Sequence, residues 1–250
     1  MRRFLIEKIT EKDGYCVITG SEARHISRVL RMGKGDRFIL MDGDGNRFEA
    51  EIESTKRKEL LVILRRPLMQ PPPSQVEVIL CQALLKSRPM DYLIEKTSEL
   101  GVNRLIPFSS ERTVVRLDGK RVSERVRHWQ EIARSAAKQS DRIKPAEILP
   151  PVSFEDIVNR WEKKDVLKVI MWEEEEAEGL KELIRTSPPA RRFVGMVGPE
   201  GGFSGKEIEI ARQGGFKPVS LGNRILRAET AAIILVAIVQ YEWGDLSLNV

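Results

Sequence analysis

An α/β domain with a largely parallel sheet, preceded by a small, mostly β domain, is the fold class that this 250-residue sequence predicts. Three observations predict it. "QPPPS", Gln70 to Ser74, sets three prolines in a row, which neither a helix nor a central strand tolerates and which favour a stiff, extended linker. Ahead of it, apolar and polar residues alternate between turn residues, as they do in strands. Behind it, short apolar runs alternate with helical stretches, the pattern of strands joined by helical crossovers. The division expected is 1–70 and 71–250.

In the first 70 residues, "DRFILMDGDGNRFEAEIES" alternates on both sides of "DGDGN", a hairpin signal. "ELLVILRRPL" reads as another strand, and "SEARHISRVLRM" as a helix that interrupts the strands. From residue 71, "QVEVILCQAL" is an apolar strand, and "SRPMDYLIEKTSELGV" is a helix that Gly101 ends as a C-cap residue. "RLIPFSS" is a strand. "SERVRHWQEIARSAAKQSDR" is a helix with Trp129, Ile132, Ala136 and Ala137 on or near one face. Three short apolar strands follow, "VLKVIMWEE", "RRFVGMV" and "FKPVSLG", with helical segments between them that include "SGKEIEIARQG". The run Ala231 to Val239 is apolar on every face and reads as a helix buried all round, in a core or a subunit interface. Glu173 to Glu176 is a short, solvated acidic run, and no internal repeat is visible.

Composition narrows the function. Hydrophobic residues make up 41% and charged residues 32%, enough apolar material for a sizeable core. The longest apolar run, nine residues, falls short of the roughly 18 to 20 that a membrane span needs. "MRRFLIEKIT" lacks the sustained apolar stretch of a signal peptide, so a cytoplasmic protein without membrane partners is expected. Cys16 and Cys81 lie far apart and outside any C-x-x-C, and with only two histidines, His25 and His128, no metal site is expected. The net charge of +5 is uneven: residues 1–70 carry 15 Lys+Arg against 11 Asp+Glu, residues 71–144 carry 14 against 9, and residues 145–250 carry 13 against 17. The first 144 residues are the basic side, and a basic face can neutralise nucleic-acid phosphates. A solvated, charge-rich surface accounts for the same counts.

"VGPEGGFSGKEIE", Val197 to Glu209, concentrates glycine beside a helix start. Ser204 and Glu207 fit the capping box S-x-x-E, which begins a helix at Gly205. "GPEGGF" is then the loop after the strand "RRFVGMV", at the edge where α/β sheets bind ligands. Neither phosphate motif fits: Glu200 stands where a Walker loop needs its first glycine, Glu207 where it needs Ser or Thr, and G-x-G-x-x-G is absent. A tight structural turn is the competing reading. After "KPVSL", the loop from Gly222 offers Leu221, Ile225 and Leu226 as a wall for a flat apolar ligand, with Arg224, Arg227 and Glu229 placing charge beside it. "DGDGNRFEAEIE" matches a calcium loop at positions 1, 3, 5 and 12, but Arg47 stands where an EF-hand needs glycine, and the flanks alternate like strands. Arg24, Arg28 and Arg31 recur at helical spacing, and Lys86 and Arg88 follow the first strand of the second domain. These could grip phosphates, or each could be a surface cation.

"GPEGGFS", "LGNRILRAETAA" and "CQALLKSRPMDYLIEKTSELGV" together are far more specific than any one of them. With "HISRVLRMGKGD", "HWQEIARSAAKQSDR" and the final "GDL", nearly the whole chain resembles the RsmE family of the SPOUT class. These enzymes methylate N3 of one uridine in small-subunit (16S) ribosomal RNA. The resemblance implies a PUA-like β-barrel that helps hold RNA and a SPOUT-type domain with a C-terminal trefoil knot that binds S-adenosylmethionine and forms a homodimer. It assigns the cofactor slot to loops after three strands: Gly198, Pro199, Glu200 and Gly202; Leu221, Gly222, Ile225, Leu226 and Thr230; and, from a less distinctive stretch, Trp172 and Glu173. Asn223 and Ala228 stand where relatives often show proline and threonine.

Read this way, the reaction is an in-line displacement that aligns nucleophile and methyl group and needs no metal. The weakly acidic N3 must lose its proton or have its anion stabilised. Arg227 is the candidate for that stabilisation, and Glu229 or Glu200 for accepting the proton; an ion pair with an arginine is the other reading of Glu229. Arg3, Arg28, Arg31, Lys86 and Arg88 are the candidates for RNA phosphates, on naked RNA or an assembled small subunit. The alternatives are an RNA-binding protein without catalysis, a nucleotide-dependent enzyme, and a SPOUT enzyme acting on another base or a ribose hydroxyl.

Overall fold

The computed structural model describes residues 1–56, 59–69, 74–142, 144–161, 166–175 and 179–246. Gln70 and the three prolines expected as a linker lie outside these residues, as does Glu176 of the acidic run. The chain divides into two compact units, Met1–Pro72 with Ala137–Pro145, and Pro73–Ala136 with Ala146–Val250.

The first unit is a five-stranded sheet of β1 (Arg3–Ile6), β2 (Tyr15–Thr19), β3 (Arg37–Asp42), β4 (Arg47–Thr55) and β5 (Glu59–Pro67), in the order β1-β3-β4-β5-β2. The β1–β3 pair is parallel and the others antiparallel. Period-2 alternation sends Phe38, Leu40, Ile52, Leu60 and Val62 inward, where they pack with Phe4, Ile18 and Ile26. The stretch expected as one helix is two pieces, α1 (Gly20–Arg24) and a π-helical turn, His25–Val29. Arg31, just beyond, has φ +53°, a left-handed conformation that stops the helix.

The β3–β4 turn explains the calcium-like pattern without a metal. Buried Asp42 accepts hydrogen bonds from the backbone N–H of Ile9, Asp44 and Asn46 and from the Asn46 side-chain amide, at 2.8–3.0 Å. The "DGDGN" carboxylate is thus consumed by its own turn. Asp141 plays a similar fastening role within this unit. It accepts 2.6 and 2.7 Å bonds from one nitrogen of the buried Arg47 guanidinium, and a 3.0 Å bond from Arg3 Nε.

The second unit comprises β6 (Glu77–Ala83), α2 (Ser87–Glu99), β7 (Arg104–Ser109), α3 (Gly119–Ser140, whose last residues group with the first unit), β8 (Glu147–Ile148), β9 (Val152–Ser153), α4 (Phe154–Asn159), β10 (Val166–Met171), α5 (Leu180–Thr186), β11 (Arg192–Val197), α6 (Gly205–Gln213), β12 (Lys217–Val219) and α7 (Ala228–Trp243). Its sheet runs β12-β10-β11-β6-β7-β8, with β9 also beside β7, and every pair is parallel. Parallel strands covered on both faces read as continuous apolar runs, which is why β6 shows no alternation in sequence. Its Val78 and Leu80 face a core that includes Leu93, Trp129, Leu183 and Leu235, while Ile79, Cys81 and Ala83 face one that includes Phe154, Phe203 and Ile208.

Within its own chain, helix α7 is buried over only part of its surface. Ala232, Leu235, Val236 and Val239 are buried, but Thr230, Ile234 and Ala237 are only half-buried and Tyr241 is exposed, so one stripe of the helix is uncovered by its own chain. Among the described residues no helix is long and apolar enough to cross a membrane, and no three His, Cys, Asp or Glu side chains gather where they could hold a metal.

Candidate active site

In the second unit, β10, β11 and β12 are parallel, so the loops that leave them emerge on one edge of the sheet. The three loops surround a cleft of about 870 Å³. After β10, the first loop folds back on the sheet, with Trp172 N–H donating to Val219 O at 3.0 Å and Glu175 N–H to Trp172 O at 3.3 Å. Arg212 of α6 holds this loop from outside: it donates to Glu175 at 3.1 Å and lies 5.7 Å above the Trp172 ring.

The second loop is "GPEGGFS". Gly202 N–H donates to Pro199 O at 3.0 Å, closing a tight turn at φ +68°. A Cβ on Gly202 would lie 2.4 Å from Glu173 Oε1, so the first and second loops touch here, and the positive φ is what favours glycine at this position. The loop ends in the predicted capping box: the N–H of Glu207 donates to Ser204 Oγ, and the N–H of Ser204 to Glu207 Oε2. Sequence reasoning missed a further support. Arg112 donates to Gly201 O at 2.9 Å, Glu111 N–H to Glu207 Oε1 at 2.8 Å, and Ser204 Oγ to Glu111 at 2.7 Å. Nothing in the spacing of "SSERT" signalled it, because the partners lie about 90 residues away in sequence.

The third loop starts after β12 and runs to Arg227, the N-cap residue of α7. Gly222 is at φ +102°, and a Cβ there would meet no protein atom within 4 Å; the space beside it opens into the cleft it lines. Ile225 is 91% exposed, an apolar side chain on the cleft wall that no part of this chain covers.

The cleft brings together Trp172, Glu173, Gly198, Pro199, Glu200, Gly202, Leu221, Gly222, Ile225, Leu226, Arg227 and Glu229. Thr230 is not on its wall, although its neighbours Glu229 and Ala231 are. Pro89, Met171, Glu175 and Phe203 also line it and were not singled out in the sequence. Among the described residues Glu200, Arg227 and Glu229 make no ion pair with one another or with any other group. These three charged groups therefore stand available in one partly apolar cleft. The phosphate candidates lie elsewhere. Arg28 and Arg31 are exposed in the first unit, Lys86 and Arg88 are exposed at the start of α2, and Arg3 is engaged with Asp141.

Residues 72–240 match the family model described as an RNA methyltransferase domain, and residues 18–65 match an RNA methyltransferase PUA domain. Fold and sequence thus define an RNA methyltransferase catalytic domain joined to a PUA domain. Curated relatives include the ribosomal RNA small subunit methyltransferase E of Bacillus subtilis, 29% identical over 250 residues and covering 97% of both chains. The same enzyme of Synechocystis is 31% identical over 222 residues, covering 88% of this chain and 71% of the relative. A ribosomal RNA small subunit methyltransferase E from Neisseria gonorrhoeae, solved bound to S-adenosyl methionine, superposes with a TM-score of 0.89 at 30% identity, over 99% of this chain and 100% of that one. A methyltransferase from Legionella pneumophila in complex with SAM gives a TM-score of 0.88 at 30% identity, with 98% of each chain covered. The chain belongs to the ribosomal RNA small subunit methyltransferase E family.

Proposed function

We propose that this protein methylates N3 of a uridine in small-subunit ribosomal RNA, using S-adenosylmethionine. The observation that carries this reading is the convergence of three strand-end loops on one cleft that holds Arg227, Glu200 and Glu229 without ion pairs among the described residues. The relatives' names and the two cofactor-bound neighbours support it.

The cleft residues fit this cofactor. Its volume lies within the roughly 300–1,000 Å³ of small-molecule sites. Leu221, Ile225 and Leu226 offer an apolar wall to a purine, and the open space at Gly222 admits a ligand against the backbone. Glu173, Glu175, Glu200 and Glu229 suit ribose hydroxyls and a cationic amine or sulfonium. When bound, the cofactor supplies an electrophilic methyl group. The protein's own part is to orient the base, to take the N3 proton on Glu229 or Glu200, and to hold Arg227 against the anion that develops on the uracil ring. Arg227 is well placed for this: it ends the third loop, and its backbone is fixed by the 2.9 Å bond from Ala231 N–H to its carbonyl.

The PUA-like unit holds the RNA, with Arg28 and Arg31 on phosphates and Lys86 and Arg88 doing the same from the second unit. The chain steps from β10 inward to β11 and back out to β12, a strand order through which a trefoil-knotted C-terminus can be threaded. The uncovered stripe of α7 is the surface of a homodimer, working in the cytoplasm where small ribosomal subunits are made. Calorimetric titration with S-adenosylmethionine, with ATP and NAD as controls, tests the cofactor. Selective binding, followed by methyl transfer to small subunits or naked ribosomal RNA with the mark located on uridine N3, supports the reading. RNA binding without any cofactor binding would leave a non-catalytic RNA-binding protein instead.

A further inference from the structure

We propose that Gln82 is a positioning residue for methyl transfer: its side-chain amide fixes the peptide group that opens the second cleft loop, and so sets the seat of the cofactor. The inference rests on the cofactor reading above.

Gln82 is the second-last residue of β6, opposite Val197, the last residue of β11. The ladder between the two strands ends there. Beyond it the chain leaves the sheet at Gly198, and the Gln82 side chain continues where the ladder stops. Its Nε2 lies 3.2 Å from Gly198 O, 3.4 Å from Val197 O and 3.1 Å from Ala83 O. All three neighbours are carbonyl oxygens, which only accept, so the amide must present its NH₂ to them. Two hydrogens serve three carbonyls, and the longest contact, to Val197, is the weakest.

Gln82 is fully buried, in a strand that is otherwise apolar from Val78 to Ala83. Its Oε1 has no hydrogen-bond partner among the described residues. A methionine or leucine would fill the space without stranding that oxygen, so the glutamine is costly as packing. What an apolar side chain cannot do is hold the Gly198 carbonyl. Phe203 also packs close to Gly198, where a Cβ would meet its ring at 3.1 Å. The Pro199–Gly202 turn hangs from this fixed peptide and presents Pro199, Glu200 and Gly202 to the cleft. Gln82 itself does not line the cleft, so it acts through the loop and not on the ligand.

The test is Gln82→Met, which keeps the volume and removes the donors, together with Gln82→Asn, which keeps the amide but shortens its reach. Each is titrated with S-adenosylmethionine and assayed for methyl transfer to small ribosomal subunits. Both are expected to raise the Kd and KM for S-adenosylmethionine by about tenfold or more. The KM for RNA is expected to stay close to wild type, while the melting temperature falls by the few degrees that losing buried hydrogen bonds costs. Wild-type cofactor affinity in a folded variant overturns the proposal, as does a loss that affects RNA and cofactor alike and follows the melting temperature. Should neither variant fold, the wild-type protein decides by NMR. The Gln82 side-chain amide protons are expected to exchange slowly and to shift on adding S-adenosylmethionine, and a freely exchanging, unshifted amide overturns the assignment. If wild type itself fails to bind S-adenosylmethionine, it is the cofactor reading that falls, a result distinct from normal binding by the Gln82 variants.

Discussion

Arg227 sits at a junction, with its backbone committed to starting α7 and its side chain exposed at the cleft. Because the backbone atoms do the structural work, Arg227→Ala is expected to leave the fold and S-adenosylmethionine affinity close to wild type. It should lower kcat by about a hundredfold or more, the scale of losing one group that stabilises a developing anion. Wild-type-like turnover by that variant would remove Arg227 from its role. Asp42 makes the opposite kind of contribution. Burial alone would raise its pKa, but the hydrogen bonds from Asn46, Ile9 and Asp44 outweigh burial and hold it below the ordinary aspartate value. A depressed folded-state pKa means stability that is present above the unfolded value, about 3.9, and lost as pH falls through the folded one. Urea denaturation should therefore show an acid-sensitive component below about pH 4 that Asp42→Ala abolishes, and at neutral pH the same variant should lose about 3 kcal/mol. An unchanged acid profile in the variant would refute this.

Helix α6 begins inside the functional loop, so its cap belongs to both fold and site. Ser204 accepts from the N–H of Glu207 and also donates to Glu111, which ties the segment after β7 to the second cleft loop. Ser204→Ala removes both bonds and should cost about 1–2 kcal/mol, read as a lower urea midpoint at unchanged m-value. Ser204→Thr can cap as well and should recover most of the loss. Helix α7 illustrates how burial divides one element. Its sequence is apolar on every face, yet its own chain covers only the part that faces β6, β11 and α2. The stripe Thr230, Ile234, Ala237 and Tyr241 is spaced for a single helix face, and Tyr241 remains 62% exposed.

For the whole molecule, that stripe sets the expected assembly. Sedimentation equilibrium should give the mass of two chains, and Ile234→Arg with Tyr241→Arg should shift it to one. If the stripe is a subunit interface, thermal stability will rise with protein concentration in the wild type and be independent of it in the double variant. A wild-type chain that stays monomeric throughout would leave the α7 stripe without its proposed role. The division of the chain carries a second lesson at this scale. Residues 137–145 follow the first strands of the second unit in sequence, yet they group with the first unit, where Asp141 gathers Arg3 and Arg47.

Local chemistry made much of this legible without coordinates. The capping box at Ser204 and Glu207, the left-handed Gly101 after α2 and the hairpin around Gly43 are short-range devices whose residues are neighbours in the chain, so spacing alone reveals them. The alternation of strands and helices after residue 74 is also local, and it determined the parallel sheet once right-handed crossovers are assumed. What only the tertiary structure decided involves partners far apart in sequence. The strand order that brings three loops to one cleft, the contact of Glu173 with Gly202, the hold of Arg112 on Gly201 and that of Gln82 on Gly198 join residues tens to more than a hundred positions apart. Periodicity carries no information about such pairs. Which face of α7 stays uncovered was equally invisible, because a helix apolar all round carries no mark of which side its own chain will bury.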